Sequence, residues 1–98
     1  MASGGTRMKC GRVTATGLAM DITTVGFRPR RVKCYNITDE ATIEWNEAFD
    51  DATGYQYDAA TPDYLSANGI TPLANGFTLG ADGDVNVDGE TVIWEAHE

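Results

Sequence analysis

The residues from Gly26 to Ile37 constrain the fold more than any other stretch of the sequence. Pro29 fixes its own φ and favours an extended conformation at Arg28, so the stretch begins with a turn. From Arg31 onward apolar and polar side chains alternate, and this period of two predicts a β-strand with one buried face. The residues predicted to face inward are Val32, Cys34 and Asn36, and those predicted to face outward are Arg31, Lys33 and Tyr35.

Other short segments with strand-like composition lie on both sides of this stretch, and no segment keeps a helical period over about 11 residues. Strands are predicted at residues 8–16, 18–25, 41–46, 55–58, 77–79 and 91–96, and the strand at 41–46 is predicted to form a meander with 31–36. Pro62, Pro72 and two Asn-Gly pairs indicate turns. We therefore predict an all-β fold, a small antiparallel β-sandwich or barrel, with a long loop region at about residues 46–75 that begins with a helical turn at 46–54.

A chain of 98 residues can bury one hydrophobic core, so we expect a flexible N-terminal arm at residues 1–7 and a single β-domain at 8–98. Trp45 and Trp94 fall at strand positions and are predicted core residues. No apolar run approaches the roughly 20 residues that span a bilayer. The first residues lack the apolar segment of a signal peptide, which predicts synthesis in the cytoplasm.

The charges are distributed unevenly along a chain whose net charge is −8. All seven basic residues precede residue 34, whereas only one of the fifteen acidic residues precedes residue 39. Two interpretations are open: basic and acidic strands cross-pair on one surface, or the basic third binds an acidic partner. Nucleic acid is an unfavourable partner for so acidic a chain. The candidate partner-binding residues are Arg7, Lys9, Arg12, Arg28, Arg30, Arg31 and Lys33.

The sequence offers little for catalysis or for a cofactor. Cys10 and Cys34 are expected to be reduced thiols, and a disulfide between neighbouring strands is the alternative. Two cysteines with one histidine are too few for a structural zinc site without carboxylates. His97 is the sole histidine, and no spacing pairs it with a nucleophile. We therefore expect neither an enzyme nor a bound cofactor.

One motif matches the pattern of a calcium-binding loop. Asp84, Asn86 and Asp88 alternate before Gly89, and Glu95 follows at the spacing of an EF-hand. An EF-hand loop needs a helix on both sides, whereas strand-like residues flank this segment. We interpret it as an acidic β-turn, and a calcium loop in a β context is the alternative.

Two stretches of the sequence resemble small virion proteins of tailed bacteriophages. Residues 26–36 read G-F-R-P-R-R-V-K-C-Y-N, similar to the G-F-x-P-R-x-V-x-V-x-N opening of short proteins encoded beside the major capsid protein. Residues 68–70, 76–80 and 86–96 look like a G-F-T-[IV]-G … V-N-x-x-G-x-T-x-x-W-x-A ending that such proteins share with some phage tail modules. Together the two stretches cover about half of the chain, and Cys34 stands where the pattern has an aliphatic residue.

The resemblance implies a head decoration (cement) protein that binds the major capsid protein lattice on the outer shell and stabilises the head. In that setting we expect a small homo-oligomer, a dimer or trimer, without membrane or nucleic-acid contacts. The basic first third would lie across acidic capsid subunits, and the acidic remainder would face solvent. The alternatives are a tail or fibre module that attaches to a host-surface glycan, and a Ca²⁺-dependent binding domain.

Overall fold

The structure, a computed structural model, describes residues 7–58 and 61–98, and these residues form eight β-strands and no helix. No segment in those two ranges is a helix long and apolar enough to cross a bilayer. The strands are β1 Met8–Thr14, β2 Met20–Ile22, β3 Arg31–Asn36, β4 Ala41–Asn46, β5 Thr53–Asp58, β6 Thr61–Leu73, β7 Gly76–Leu79 and β8 Thr91–His97.

All eight strands belong to one antiparallel sheet in the order β1-β8-β3-β4-β5-β6-β7-β2. Although four strands separate β7 from β8, the ring of Phe77 in β7 meets the ring of Trp94 in β8 edge to face, with centroids 5.9 Å apart. The sheet must therefore curl upon itself, and it forms a half-barrel. The predicted all-β class is confirmed.

The predicted alternation in β3 is confirmed. Val32, Cys34 and Asn36 are buried, and the side chains between them lie on the outer face of the sheet. β3 pairs with β4 through a hairpin, as predicted, and with β8 on its other side. β3 therefore contributes both to the core and to the outer surface described below.

The concave side of the sheet holds a single hydrophobic cluster. Trp45 and Trp94 are each only 2% exposed, which confirms that both tryptophans are core residues. The remaining core side chains are Ala15, Ile22, Val25, Phe27, Val32, Cys34, Ala41, Ile43, Ile70, Phe77, Leu79, Val85, Val92 and Ala96.

The segment between β2 and β3 covers the opening of the half-barrel between its two edge strands. Val25 and Phe27 are buried there, which adds apolar surface to the core. Lys9 Nζ in β1 donates a hydrogen bond of 2.8 Å to the carbonyl of Thr24. Gly26 N–H donates to the carbonyl of Asn75, after β6, at 3.0 Å. These contacts tie the segment to both sides of the opening.

The predicted long loop at 46–75 is replaced by β5 and the 13-residue β6. Its two prolines do not interrupt the sheet, because each lies where β6 has a neighbour on one side only. Pro62 pairs with β5 beyond the end of β7, and Pro72 pairs with β7 beyond the end of β5. A register shift between Thr53 and Gly54 absorbs the extra residues of β6. Prolines at one-sided positions therefore misled the sequence-based prediction.

The predicted helical turn at 46–54 is a non-helical turn between β4 and β5. Its first residue, Asn46, accepts a hydrogen bond from Ala48 N–H at 2.9 Å, the contact of an Asx turn. Most of the predicted N-terminal arm, residues 1–6, lies outside the described ranges. Arg7 continues the strand ladder, since its carbonyl accepts a hydrogen bond from Glu98 N–H at 2.8 Å.

Candidate functional site

The first of the predicted basic residues, Arg7, is engaged within the molecule. Its guanidinium makes two hydrogen bonds with the Glu98 carboxylate, at 2.6 and 2.9 Å, and lies 5.1 Å from the centre of the Phe27 ring. The hydrogen bond from Arg7 lowers the pKa of Glu98. This contact joins the beginning of β1 to the end of β8 and to the segment that covers the opening. Arg7 therefore supports the fold as well as carrying charge.

Lys9 and Arg12 occupy opposite faces of β1. Lys9 reaches across the opening to Thr24, as described above. Arg12 is exposed on the outer face, opposite Ile93 of β8 in the strand register. Among the described residues no acidic group lies within 4 Å of the Arg12 guanidinium.

Arg28 and Arg30 lie at one end of the half-barrel. They line a cleft of about 390 Å³ together with Glu47 and Glu98. Arg30 Nε is 3.9 Å from a carboxylate oxygen of Glu47, and the two side chains are largely exposed, so this ion pair contributes little to stability. Arg28 has no acidic partner within 4 Å in the described part of the chain.

Arg31 and Lys33 lie on the outer face of β3. Lys33 Nζ is 3.1 Å from a carboxylate oxygen of Glu44 on β4 and 5.4 Å from the centre of the Tyr35 ring. The hydrogen bond to Glu44 raises the pKa of Lys33. Arg31 lies between Asn46 and His97 in the register of the sheet. The seven basic residues thus lie in three places, namely at or beside β1, at the end cleft and on β3, and part of their charge is paired internally.

The backbone of β1 is free on the side away from β8. Glu98 N–H donates to the carbonyl of Arg7 and Ala15 N–H to that of Glu90, at 2.8 Å each, so the odd-numbered residues bond to β8. The N–H and C=O groups of successive residues point to opposite sides of a strand. Those of the even-numbered residues therefore point away from β8, toward the free edge of the sheet. For the described residues, no backbone hydrogen bond is found on that side of β1. The residues whose backbone groups face this free edge are Met8, Cys10, Arg12 and Thr14.

A second surface, which was not predicted from the sequence, is formed by the four tyrosines of the chain. Tyr35 is on β3, Tyr55 and Tyr57 are on β5, and Tyr64 is on β6, all on the outer face of the sheet. The last three are 41%, 51% and 51% exposed. The alternation of Tyr55 and Tyr57 around the buried Gln56 was a usable signal. Tyr64 could not be placed, because it fell in the predicted loop.

Three of these tyrosines line one cleft, which we call the tyrosine cleft. Its volume is about 270 Å³, and its lining residues are Lys33, Tyr35, Thr42, Glu44, Tyr55 and Tyr57. The rings of Tyr55 and Tyr57 meet edge to face, with centroids 6.4 Å apart. A neighbouring cleft of about 420 Å³ shares Lys33 and Glu44 and extends toward Arg31 and His97. The two clefts therefore lie side by side along β3 and β4 on the outer face.

The residues of the calcium motif are not brought together. The Asn86 side chain accepts a hydrogen bond from Gly17 N–H and donates to the carbonyls of Leu18 and Gly80, so its amide is used within the fold. Glu95 lies in β8 on the outer face, opposite Cys10 and Lys33. Across residues 7–58 and 61–98, no group of three or more His, Cys, Asp or Glu side chains could hold a metal ion.

The acidic turn before β8 is organised around Asp82 instead. One carboxylate oxygen of Asp82 accepts hydrogen bonds from the N–H groups of Asp84 and Val85, at 3.3 and 3.0 Å, and from the Gln56 side chain. Burial raises the pKa of Asp82, and these hydrogen bonds oppose that rise. Val85 is fully buried. The turn therefore closes one end of the core.

Two cysteines and one histidine are the residues of the chain best suited to nucleophilic or acid–base chemistry, and all three lie in the described ranges. Cys34 is buried and Cys10 is exposed, and both thiols are free. Burial raises the pKa of the Cys34 thiol, which disfavours the reactive thiolate. His97 Nε2 lies 3.7 Å from a carboxylate oxygen of Glu95, which is an ion pair only when the imidazole is protonated.

A scan against protein-family models gave no match to this chain, and searches of curated proteins and of solved structures gave no significant match.

Proposed function

We propose that this protein is a non-catalytic decoration protein of a tailed bacteriophage, which binds the major capsid protein lattice from outside and stabilises the head. Two kinds of observation support this function. The sequence resembles small virion proteins over about half of its length. The described residues present binding surfaces, whereas their reactive groups are buried or scattered.

The free edge of β1 is the observation that carries the proposal. An unpaired strand edge accepts an extended segment of another chain through backbone hydrogen bonds, a mode known as strand addition. The seven residues of β1 include Lys9 and Arg12 and no acidic residue, in a chain of net charge −8. An acidic extended segment of a capsid subunit would therefore be attracted to this edge, and Arg28 at the end cleft would extend the attraction.

The remaining surface suits a densely coated particle. Apart from Asp21, every acidic residue lies beyond β3 in the sequence, and mutual repulsion between acidic surfaces keeps such particles soluble. A dimer or trimer on the lattice would bring several β1 edges to one site, and simultaneous binding would raise the apparent affinity. We propose neither a nucleic-acid nor a membrane partner.

A tail or fibre module is the second candidate, because the resemblance in residues 76–96 extends to phage tail proteins. Copy number separates the two. Quantitative mass spectrometry of purified virions should find this protein in a fixed ratio to the major capsid protein, at hundreds of copies per particle. A handful of copies would assign it to the tail, and its absence from virions would refute both candidates.

Strand addition can be tested by a proline at Cys10. The Cys10 N–H points away from β8, so Cys10→Pro removes an outward donor without removing a bond of the β1–β8 ladder. We expect binding to particles lacking the protein to weaken by about tenfold, the effect of losing one or two hydrogen bonds. Cys10→Ser keeps the N–H and should bind normally. Unchanged binding of Cys10→Pro would refute strand addition at β1.

A second variant tests the electrostatic attraction between β1 and the capsid. It also tests the proposal if Cys10→Pro disturbs folding. Arg12→Glu with Arg28→Glu reverses two charges that have no acidic partner among the described residues, so the fold should be retained. Particle binding should fall, and added salt should weaken wild-type binding in the same direction. The charge reversal Arg31→Glu, on β3 and away from the β1 edge, is the control. An equal loss with this control would place the capsid contact at β3 instead of at the edge of β1.

A further inference from the structure

We propose that the tyrosine cleft is a binding site for a neutral oligosaccharide. This inference does not depend on the position of the protein on the particle, and it concerns a different surface from the edge of β1. A glycan ligand at this site would serve a head-bound or a tail-bound protein equally.

The aromatic content of the cleft is the first observation. Every tyrosine of the chain is on the outer face of the sheet, and three of them line a cleft of about 270 Å³. Tyr55 and Tyr57 expose 41% and 51% of their surface to water, although the concave side of the sheet buries nearly all of its large side chains. A tyrosine offers an apolar ring face and a hydroxyl group, a combination that suits ligands with an apolar face and many hydroxyl groups. A pyranose ring has both, because its axial C–H groups form an apolar face and its edge carries hydroxyls.

The charge of the cleft selects a neutral ligand. Its two ionic groups, Lys33 and Glu44, form an ion pair at 3.1 Å and cancel each other. An anionic glycan would meet the field of a protein whose net charge is −8. A cationic ligand would have to displace Lys33 from Glu44. A neutral ligand can hydrogen-bond to both groups without separating them.

The hydrogen-bonding groups of the cleft favour a sugar over a proline-rich peptide, the other ligand that aromatic grooves bind. A proline-rich segment offers carbonyl acceptors and few donors. The Glu44 carboxylate can only accept, so such a peptide would leave it poorly satisfied. Sugar hydroxyls both donate and accept, and they can therefore serve Glu44, Lys33 and the hydroxyl of Thr42 together.

The size of the two clefts fits a short oligosaccharide. At about 270 Å³ the tyrosine cleft is slightly smaller than the sites of roughly 300–1,000 Å³ that hold small molecules. The neighbouring cleft adds about 420 Å³ and shares Lys33 and Glu44. Together the two clefts follow β3 from Arg31 to Tyr35, about 13 Å given the rise of a strand. A chain of several sugar rings can extend along them.

Titrations of the isotope-labelled full-length protein, followed by NMR, test this inference. The probes are uncharged linear tetrasaccharides of glucose, galactose, N-acetylglucosamine and rhamnose. We expect at least one probe to shift the amide resonances of Tyr35, Tyr55 and Tyr57 with a Kd of about 1 mM or lower. Tyr57→Ala should weaken that binding by about tenfold or more.

Tyr64→Ala is the matched control. Tyr64 is as exposed as Tyr57 and lies on the same face, but it lines neither cleft, and its ring stacks on that of Phe49 with centroids 6.3 Å apart. This variant should bind the tetrasaccharide like the wild type, and an equal loss would mean non-specific aromatic adhesion. The inference is overturned if none of the four probes shifts those resonances at about 10 mM, well above the expected Kd. Stronger binding of a polyproline decapeptide or of an acidic oligosaccharide would overturn it equally.

Discussion

At the residue scale, Asn36 connects three parts of the molecule. Its side-chain oxygen accepts hydrogen bonds from the N–H groups of Thr38 and Asp39, which shapes the turn between β3 and β4. Its amide nitrogen donates to the carbonyl of Val85 and to the Glu90 carboxylate, which fixes the loop before β8. A buried amide needs such partners. Asn36, the one polar residue on the buried face of β3, therefore stabilises the fold.

The two cysteines differ in chemistry because they differ in burial. Cys34 is fully buried, whereas Cys10 is exposed on the outer side of β1. The raised pKa of Cys34 keeps it protonated at neutral pH. We expect iodoacetamide to label only Cys10 in the native protein and both cysteines in urea, as counted by intact mass spectrometry. Cys10→Ser should leave the native protein unlabelled. Two labels on the native wild-type protein would show that Cys34 is accessible.

At the scale of single elements, β1 is held against the core by a glycine. A Cβ atom at Gly11 would lie 2.6 Å from Cζ2 and 2.8 Å from Cε2 of Trp94, so a larger residue would displace the indole. The indole also packs against Phe77 from the far side of the half-barrel. Gly11 therefore determines how closely β1 approaches the core.

Gly11→Ala should destabilise the protein through this contact. Overpacking of a buried site costs about 1–3 kcal/mol. For a domain of this size, each kcal/mol lowers Tm by about 4–8 °C, so differential scanning calorimetry should detect the loss easily. Gly83→Ala is the control, since a Cβ atom there meets nothing within 4 Å. Equal Tm values for the two variants would contradict this account of β1.

At the scale of the whole molecule, the acidic residues make stability depend on pH. Burial raises the pKa of Asp82, and burial together with the nearby Asp58 raises that of Asp84. A hydrogen bond with Glu90 raises the pKa of Asp39. A carboxyl group whose pKa is higher in the folded than in the unfolded protein contributes stability that is complete below the unfolded pKa, about 4, and is lost as pH rises through the folded pKa.

We therefore expect Tm to rise as the pH falls from 7 toward about 4.5, which is just above the pKa of unperturbed carboxyl groups. Glu98 acts in the opposite direction, because Arg7 lowers its pKa. The stability contributed by the Arg7–Glu98 pair is therefore lost as the pH falls. Thermal melts across this range measure the balance. Asp82→Asn removes one titrating group and should flatten the profile. A Tm that declines steadily from pH 7 to 5 would contradict the assigned directions.

The sequence by itself determined the all-β fold class of this protein, because the alternation of apolar and polar side chains along a strand is a local property. The inward and outward rows of β3, the β3–β4 hairpin and the burial of Trp45 and Trp94 were all predictable from it. The turns were harder to predict. A proline is incompatible with a strand that is paired on both sides, so Pro62 and Pro72 indicated a loop. The local sequence does not show that each of them lies where β6 is paired on one side only.

Only the tertiary structure decided which outward residues meet. The curl of the sheet and its strand order bring Tyr35 of β3 beside Tyr55 and Tyr57 of β5, and they pair Lys33 with Glu44 within the same cleft. They also leave β1 at an edge and scatter Asp84, Asp88 and Glu95, which the sequence pattern had grouped. Such juxtapositions depend on contacts between distant residues, and a pattern that reports only the face of each side chain does not contain them.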